Sequence, residues 1–343
     1  MNRLLKTGIW QDLCGVPTAV QTTLDKAEDF DEVAAILRRR DVRRIVATGN
    51  GAAYYVAHAL WLNSLDSDNE APPVVAVPSG FVARGHFGWR KGDLLVAVSS
   101  SGEFRDVVEA VELGAPRPFI AITARPESTI GAAADARAVI AAPSQRAVTH
   151  TQVYCSGVIA ALAVWARAFR DRRLADAVAA AAEVCARSLT AATDSAESDA
   201  LDSIPHPTAA VALGSGRAWT AALETALLLR EVAGVPSEGA ETREGATSSL
   251  FGLSSGHLVV SVGPHRDPLV VEAEQRGRET GAIVVSVPGD EASPLLGAVT
   301  SFPGSVALTA SIGLRAGLDV DQPNWVNAYF ATARAANADR MPT

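Results

Sequence analysis

The feature that most constrains this chain is an order of elements that occurs twice. In the first half, Arg44-Ile-Val-Ala-Thr-Gly49-Asn50-Gly51 reads as an apolar strand running into a glycine turn, with a helical pattern over 52–65. Asp93-Leu-Leu-Val-Ala-Val-Ser99 is a second strand, followed by helix over 107–113; Pro118-Phe-Ile-Ala-Ile-Thr123 is a third strand, and 135–141 reads as a fourth. The second half repeats the order: Ala209-Ala-Val-Ala-Leu-Gly214-Ser215-Gly216, helix over 219–231, His257-Leu-Val-Val-Ser-Val262, helix over 269–278, Ala282-Ile-Val-Val-Ser-Val287, and an apolar segment from Val299 that resembles the fourth strand. Equivalent features lie about 165 residues apart. Short apolar runs alternating with helices predict parallel strands buried on both faces. The expected fold class is therefore α/β, two αβα sandwiches in series, each around a parallel sheet.

A chain of 343 residues suits two domains of ordinary size. The expected division is a lead-in over 1–30, a first domain over 31–193 that includes alanine-rich trailing helices, a linker over 194–208 rich in Asp, Ser and Pro, and a second domain over 209–343 with a short polar tail. Apolar residues make up 48%, enough for a core in each half. No run of about 20 apolar residues stands out, so no membrane span is expected. The start, Met1-Asn2-Arg3-Leu4-Leu5-Lys6-Thr7, has no apolar secretory core, and a cytoplasmic protein is the expectation. A net charge of −8 argues against nucleic acid as the main partner. Cys14, Cys155 and Cys185 are scattered, with no CxxC pair, so neither a metal site nor a disulfide framework is expected.

The most specific local motif is Ser99-Ser100-Ser101-Gly102-Glu103, placed where the second strand ends. Ligands of open parallel sheets bind at the carboxyl ends of strands, and hydroxyls with backbone N–H groups there can cradle a phosphate. The same residues also read as a serine-capped turn, because Ser-x-x-Glu is a capping box. The glycine turns Gly49-Asn50-Gly51 and Gly214-Ser215-Gly216 lack the third glycine of a dinucleotide fingerprint, which disfavours a nicotinamide oxidoreductase. Glu224 and Glu231 lie seven residues apart on one face of an otherwise apolar helix. Spacing alone favours a solvated or arginine-paired stripe over a pair of working carboxylates. Among the histidines, His150 is the catalytic candidate, since it follows the fourth strand and should open a helix near the same sheet edge. His58 and His257 read as packed or capping residues, and His86, His206 and His265 as loop residues.

Taken in order, the strand, glycine turn and SxSGE loop on a duplicated framework resemble the double-SIS phosphosugar proteins. These include the isomerase part of glutamine–fructose-6-phosphate aminotransferase, the amino-sugar-phosphate deaminases and the fructoselysine-6-phosphate deglycases. Asp12-Leu-Cys-Gly-Val-Pro17 resembles the family's lead-in, Leu223–Glu231 is similar to its LEGALKLKE helix, and Gly317-Leu-Asp319-Val-Asp321-Gln322-Pro323 is similar to its tail. The resemblance implies two tandem SIS domains and a phosphosugar or amino-sugar held by Ser99, Ser100 and Ser101 together with Gly49, Asn50 and Gly51, Thr149 closing the site. It implies Glu231 as the base that moves a proton between C1 and C2, no metal or organic cofactor, and a homodimer with the site at its interface. The chain departs from the family at Phe104, where a hydroxyl residue is usual, at Leu228 and Ala328 in place of lysines, at Thr247 in place of the ring-opening histidine, and at Gly80 in place of an acid. His150 or Glu244 is then the residue to supply the missing acid. A sugar-binding protein without turnover is the alternative that these departures leave open.

Overall fold

The computed structural model describes residues 3–26, 28–66, 71–114, 118–141, 143, 145–198, 201–264 and 267–333. His265, residues 1–2 of the lead-in, residues 199–200 of the expected linker and residues 334–343 of the tail lie outside them.

Two compact units are present. The first-half unit comprises Thr18–Pro143, Gln152–Ala180 and the described chain from Asn327; the second-half unit comprises the chain up to Pro17, a short segment ending at Thr151, and Ala181–Val326. The division by packing therefore passes through the lead-in and returns at 144–151 instead of following one linker. Residues 194–197 of that linker are the last turn of the helix Ala181–Glu197.

The first-half unit is built on a five-stranded parallel sheet in the order β2-β1-β3-β4-β5. Its strands are β1 (Arg44–Gly49), β2 (Val74–Pro78), β3 (Asp93–Val98), β4 (Phe119–Thr123) and β5 (Ala136–Val139). All of β3 and β4 is buried, which is why both read as unbroken apolar runs. The second-half unit carries a four-stranded parallel sheet, β7-β6-β8-β9, from β6 (Ala209–Gly214), β7 (Ser237–Glu241), β8 (His257–Gly263) and β9 (Ile283–Pro288). Its two faces follow the strand period of two. Ala210, Ala212, Leu258 and Val260 pack with Leu229, Leu308 and Ile312 on one side. Val211, Leu213 and Val259 pack with Leu250 and Ala273 on the other.

Two edge strands join those expected, and one expected strand is corrected. Strand β2 follows Pro73 and ends on Pro78, prolines that disguise it; it is an edge strand, where proline is tolerated. Strand β7 is Ser-Glu-Gly-Ala-Glu, an edge strand with no apolar run to announce it. The segment from Val299 is not a fourth strand: Gly297–Thr300 and Phe302–Arg315 are helical, the latter with a proline in its first turn, and Phe302–Gly313 is buried apart from Gly304. A helix buried on nearly every side loses its amphipathic period and reads like a buried strand. Two described segments are long and apolar enough to cross a membrane by length and composition, Thr151–Phe169 and Pro294–Arg315. Their most apolar windows are 83% and 94% buried inside the protein, the situation of core helices.

The glycine turns have the same geometry in both halves. A Cβ on Gly49 would sit 2.6 Å from the carbonyl carbon of Ala53, and one on Gly214 would collide with Ala218 O, so each strand end touches the backbone of the helix that follows. Gly51 and Gly216 then turn with φ of 53° and 54°, a conformation that suits glycine. Gly49→Ala and Gly214→Ala are each expected to destabilise by about 2–3 kcal/mol, because backbone must move. Gly216→Ala, with open space around its Cβ, should cost only about 1 kcal/mol for the positive φ. Thermal unfolding midpoints of the three variants against the parent check the ranking.

Candidate functional site

In the first-half unit the chain leaves β3 into the serine loop. Ser99 Oγ accepts from Gly102 N at 3.1 Å, and Ser101 Oγ accepts from Glu103 N at 3.2 Å. Each hydroxyl acts here as an acceptor; Ser99 is buried and Ser101 half-buried. Gly102 has φ 67°, and a Cβ there would run into Ser128 Oγ. The loop is tied at that point, since Gly102 O accepts from Ile130 N at 3.3 Å.

Glu103 does not form the capping box that its spacing allows. Its buried carboxylate reaches across to Thr129, accepting from the backbone N at 2.8 Å and from the hydroxyl at 2.7 Å. The helix Arg105–Glu109 starts without a side-chain cap. Phe104 turns its ring onto the apolar cluster of Val46, Leu95 and Val107 and stands 6.4 Å from the ring of Tyr329. In the neighbouring turn, Asn50 is exposed and its carbonyl accepts from Ala53 N at 3.1 Å.

The second-half unit holds the other candidates. Thr149 is buried, with no hydrogen-bond partner for its hydroxyl, while His150 is exposed immediately before the helix Thr151–Phe169. This segment is fixed by Asp12, 1% exposed, which accepts from Arg146 N at 2.7 Å and Ala147 N at 2.8 Å. Asp321 does the same for the lead-in, accepting from Gly8 N and Ile9 N at 2.7 Å each. The acids of the lead-in and tail motifs are thus backbone staples.

Glu244 is exposed on the six-residue helix Thr242–Thr247, and Thr247 turns its hydroxyl back onto Arg243 O and Glu244 O. Leu228 is fully buried. His58 packs against Trp61 at 5.1 Å, and burial pulls its pKa down to about 4; His257 Nδ1 accepts from Ser254 N at 2.9 Å. Both fit the packed or capping roles expected of them. Among the described residues, no group of three or more His, Cys, Asp or Glu is placed to hold a metal ion.

The helix Ala218–Glu231 overturns the solvated reading for Glu224 and leaves Glu231 half-buried. Glu224 is 3% exposed, and its Oε2 has no hydrogen-bond partner. Burial pushes its pKa well up, and the charge of Glu231 adds to this against a weaker opposing pull from Arg230. Burial likewise raises Glu231 to about 7, partly offset by Arg230. Trp325 holds the end of this helix through a 2.8 Å bond from Nε1 to Glu231 O. The helix has apolar residues on several sides, and that was the available signal that its two acids would be desolvated.

The second sheet has the same turn as the first but a different surrounding. Leu296–Ser301 is buried, and Gly297 lies so close to the start of the helix Ala218–Glu231 that a Cβ would approach Ala218 N to 3.2 Å. The chain itself fills that corner. The serine loop belongs to the other half.

With this geometry the chain can be compared with known proteins. A parallel sheet ordered 2-1-3-4 recurs in both units, each with the same glycine turn after its first strand. The structure superposes on the C-terminal domain of glucosamine-fructose-6-phosphate aminotransferase from Francisella tularensis with a TM-score of 0.76, at 18% identity, covering 93% of this chain and 98% of that one. The fold is that of the SIS phosphosugar isomerases. Tagatose-6-phosphate ketose/aldose isomerase from Escherichia coli superposes with a TM-score of 0.71 at 18% identity, covering 93% and 95%. Glucosamine-6-phosphate deaminase from Thermotoga maritima gives 0.64 at 17%, covering 88% and 97%. In sequence, the chain is 25% identical over 287 residues to the isomerizing glutamine–fructose-6-phosphate aminotransferase of Sulfolobus acidocaldarius, a stretch that covers 78% of this chain and 45% of that protein. The chain thus matches less than half the length of that relative. No protein-family model matches the sequence.

Raised carboxyl pKa values have a consequence for stability. Glu231 binds its proton more tightly folded than unfolded, so its stabilising contribution is complete below about pH 4.5 and is lost as pH rises through about 7. Glu231→Gln should therefore gain on the parent between pH 5.5 and 8, on the order of 2–3 kcal/mol at the upper end. Unfolding midpoints of parent and variant across that range test this; parallel curves would refute the raised pKa.

Proposed function

We propose that this chain binds a sugar phosphate or amino-sugar phosphate and interconverts its aldose and ketose forms by moving a proton between C1 and C2, with Glu231 as the base. The observation that carries this reading is the Glu231 carboxyl, raised to about 7 by burial. At neutral pH such a group is present in both forms, so it can take a proton from one carbon as carboxylate and return it to the neighbouring carbon as acid. The intermediate between the two transfers is an enediol. A carboxyl at its ordinary pKa would be a weaker base for so weak a carbon acid. Loss of an amine from an amino-sugar begins with the same proton transfer, so deaminase or deglycase chemistry is a variant of this reading.

The serine loop, Ser99 to Ser101, with Asn50, Gly51 and Thr149, takes the anionic group of the ligand. The known enzymes that share the fold act on sugar phosphates by their names, and this supports the substrate class. A homodimer with the site at its interface belongs to the same proposal. His150 and Glu244 are the proposed sources of the ring-opening proton. Both are exposed, whereas Glu224 is a buried acid on the helix of Glu231 itself. One observation favours the alternative of a sugar-binding protein without turnover: Thr247, where an acid is wanted, bonds only its own helix carbonyls.

A panel of ketose, aldose and Amadori-type phosphosugars, followed by NMR in deuterated water, decides between them. Turnover is expected to incorporate solvent deuterium at C1 or C2, and Glu231→Gln to slow it by about 10²–10⁴-fold while retaining binding. Binding by the parent with neither product nor exchange would establish the alternative.

A further inference from the structure

Beside the serine loop stands an arginine that no sequence motif points to. β4 ends at Thr123, and its continuation runs beside the loop: Ala124 N donates to Ser100 O at 3.2 Å, and the Thr123 hydroxyl donates to the same carbonyl at 3.3 Å. Arg125 follows, fixed by its backbone, with its N donating to Thr123 Oγ1 at 3.2 Å and its carbonyl accepting from the Ser128 hydroxyl at 2.7 Å. Arg125 is only partly exposed, and its guanidinium has no hydrogen bond or ion pair among the described residues.

The acids of this region are engaged elsewhere. Glu103 is bonded to Thr129 through both carboxylate oxygens, and Asp135 accepts from Phe119 N at 2.7 Å. Asp106 and Glu109 stand 3.5 and 3.9 Å from Arg105. Glu127, close in sequence, is exposed to solvent. A guanidinium cannot lose its proton to relieve partial burial, so an unmatched one at the carboxyl end of a parallel sheet is a standing counter-charge where ligands of such sheets bind. Its planar fork of donors matches two oxygens of one phosphate or carboxylate group.

We propose that Arg125 is the residue that holds the oxyanion of the ligand at the Ser99–Ser101 loop, and that the ligand carries this charge as a phosphate monoester or a carboxylate. This rests on the sugar-binding reading above and narrows it: Arg125 selects charged sugars over neutral ones, and the loop hydroxyls complete the contacts.

The test uses the full chain, with fructose 6-phosphate, gluconate, inorganic phosphate and fructose as probes in calorimetric titration. The parent is expected to bind fructose 6-phosphate or gluconate more tightly than fructose, and whichever of the two is tighter identifies the anion. Arg125→Met should raise that Kd by about 10- to 100-fold and leave fructose unchanged, with an intermediate loss for Arg125→Lys, which keeps the charge but not the fork. Circular dichroism and the unfolding midpoint verify folding. Should the methionine variant not fold, the lysine variant decides, an unchanged Kd refuting the proposal. A folded Arg125→Met that binds the anions like the parent overturns the role of Arg125 and leaves the sugar reading intact. A parent that prefers fructose overturns it also, and a parent that binds none of the four removes the sugar reading with it.

Discussion

Each half of this protein depends on a place where a strand and the next helix touch backbone to backbone. At Gly49 and at Gly214 there is no room for a Cβ, and two residues later the chain turns through a positive φ. The turn sets where the helix begins relative to the sheet, hence which loops border the carboxyl edge. The long buried strands beside it supply the apolar area. The glycines decide the geometry in which that area can be buried.

On this frame, acidic residues have two fates, set by how many donors meet them. Asp12, Asp321 and Glu103 each receive two short hydrogen bonds from backbone or hydroxyl groups, which compensate for lost water and make them fasteners. Glu224 and Glu231 sit on a helix lined by alanine, leucine and threonine, and no such donors meet the unpartnered Glu224 Oε2. Desolvation then favours the protonated form. The same chemical group is a fastener in the first setting and carries a raised pKa in the second.

The two halves share a topology but not a surface. Leu296–Ser301 closes over the start of the helix Ala218–Glu231, and the first half carries, after β3, a loop of three serines and a glycine whose Glu103 is tied to Thr129. Hydroxyls and Arg125 stand at the end of the first-half sheet, and the second half carries Glu224 and Glu231 on the helix after its first strand.

Much of this was legible in the residues. Apolar runs such as Leu94–Val98 and Leu258–Val260, followed by glycine or serine turns, signal buried strands, and the glycine turns and the SxSGE loop locate the sheet edges, because these signals act over a few neighbouring residues. Sequence alone thus determined the class, the recurrence of strand and glycine turn in both halves, and the position of the serine loop. It did not show β2 and β7, whose strand character comes from pairing at an edge, nor that the apolar segment after Val299 is a helix enclosed on nearly all sides. Above all, it left open whether Glu103 caps its own helix or reaches Thr129, and whether Glu224 and Glu231 are solvated. Those depend on which distant groups exclude water or donate a hydrogen bond, and only the tertiary structure brings such groups together.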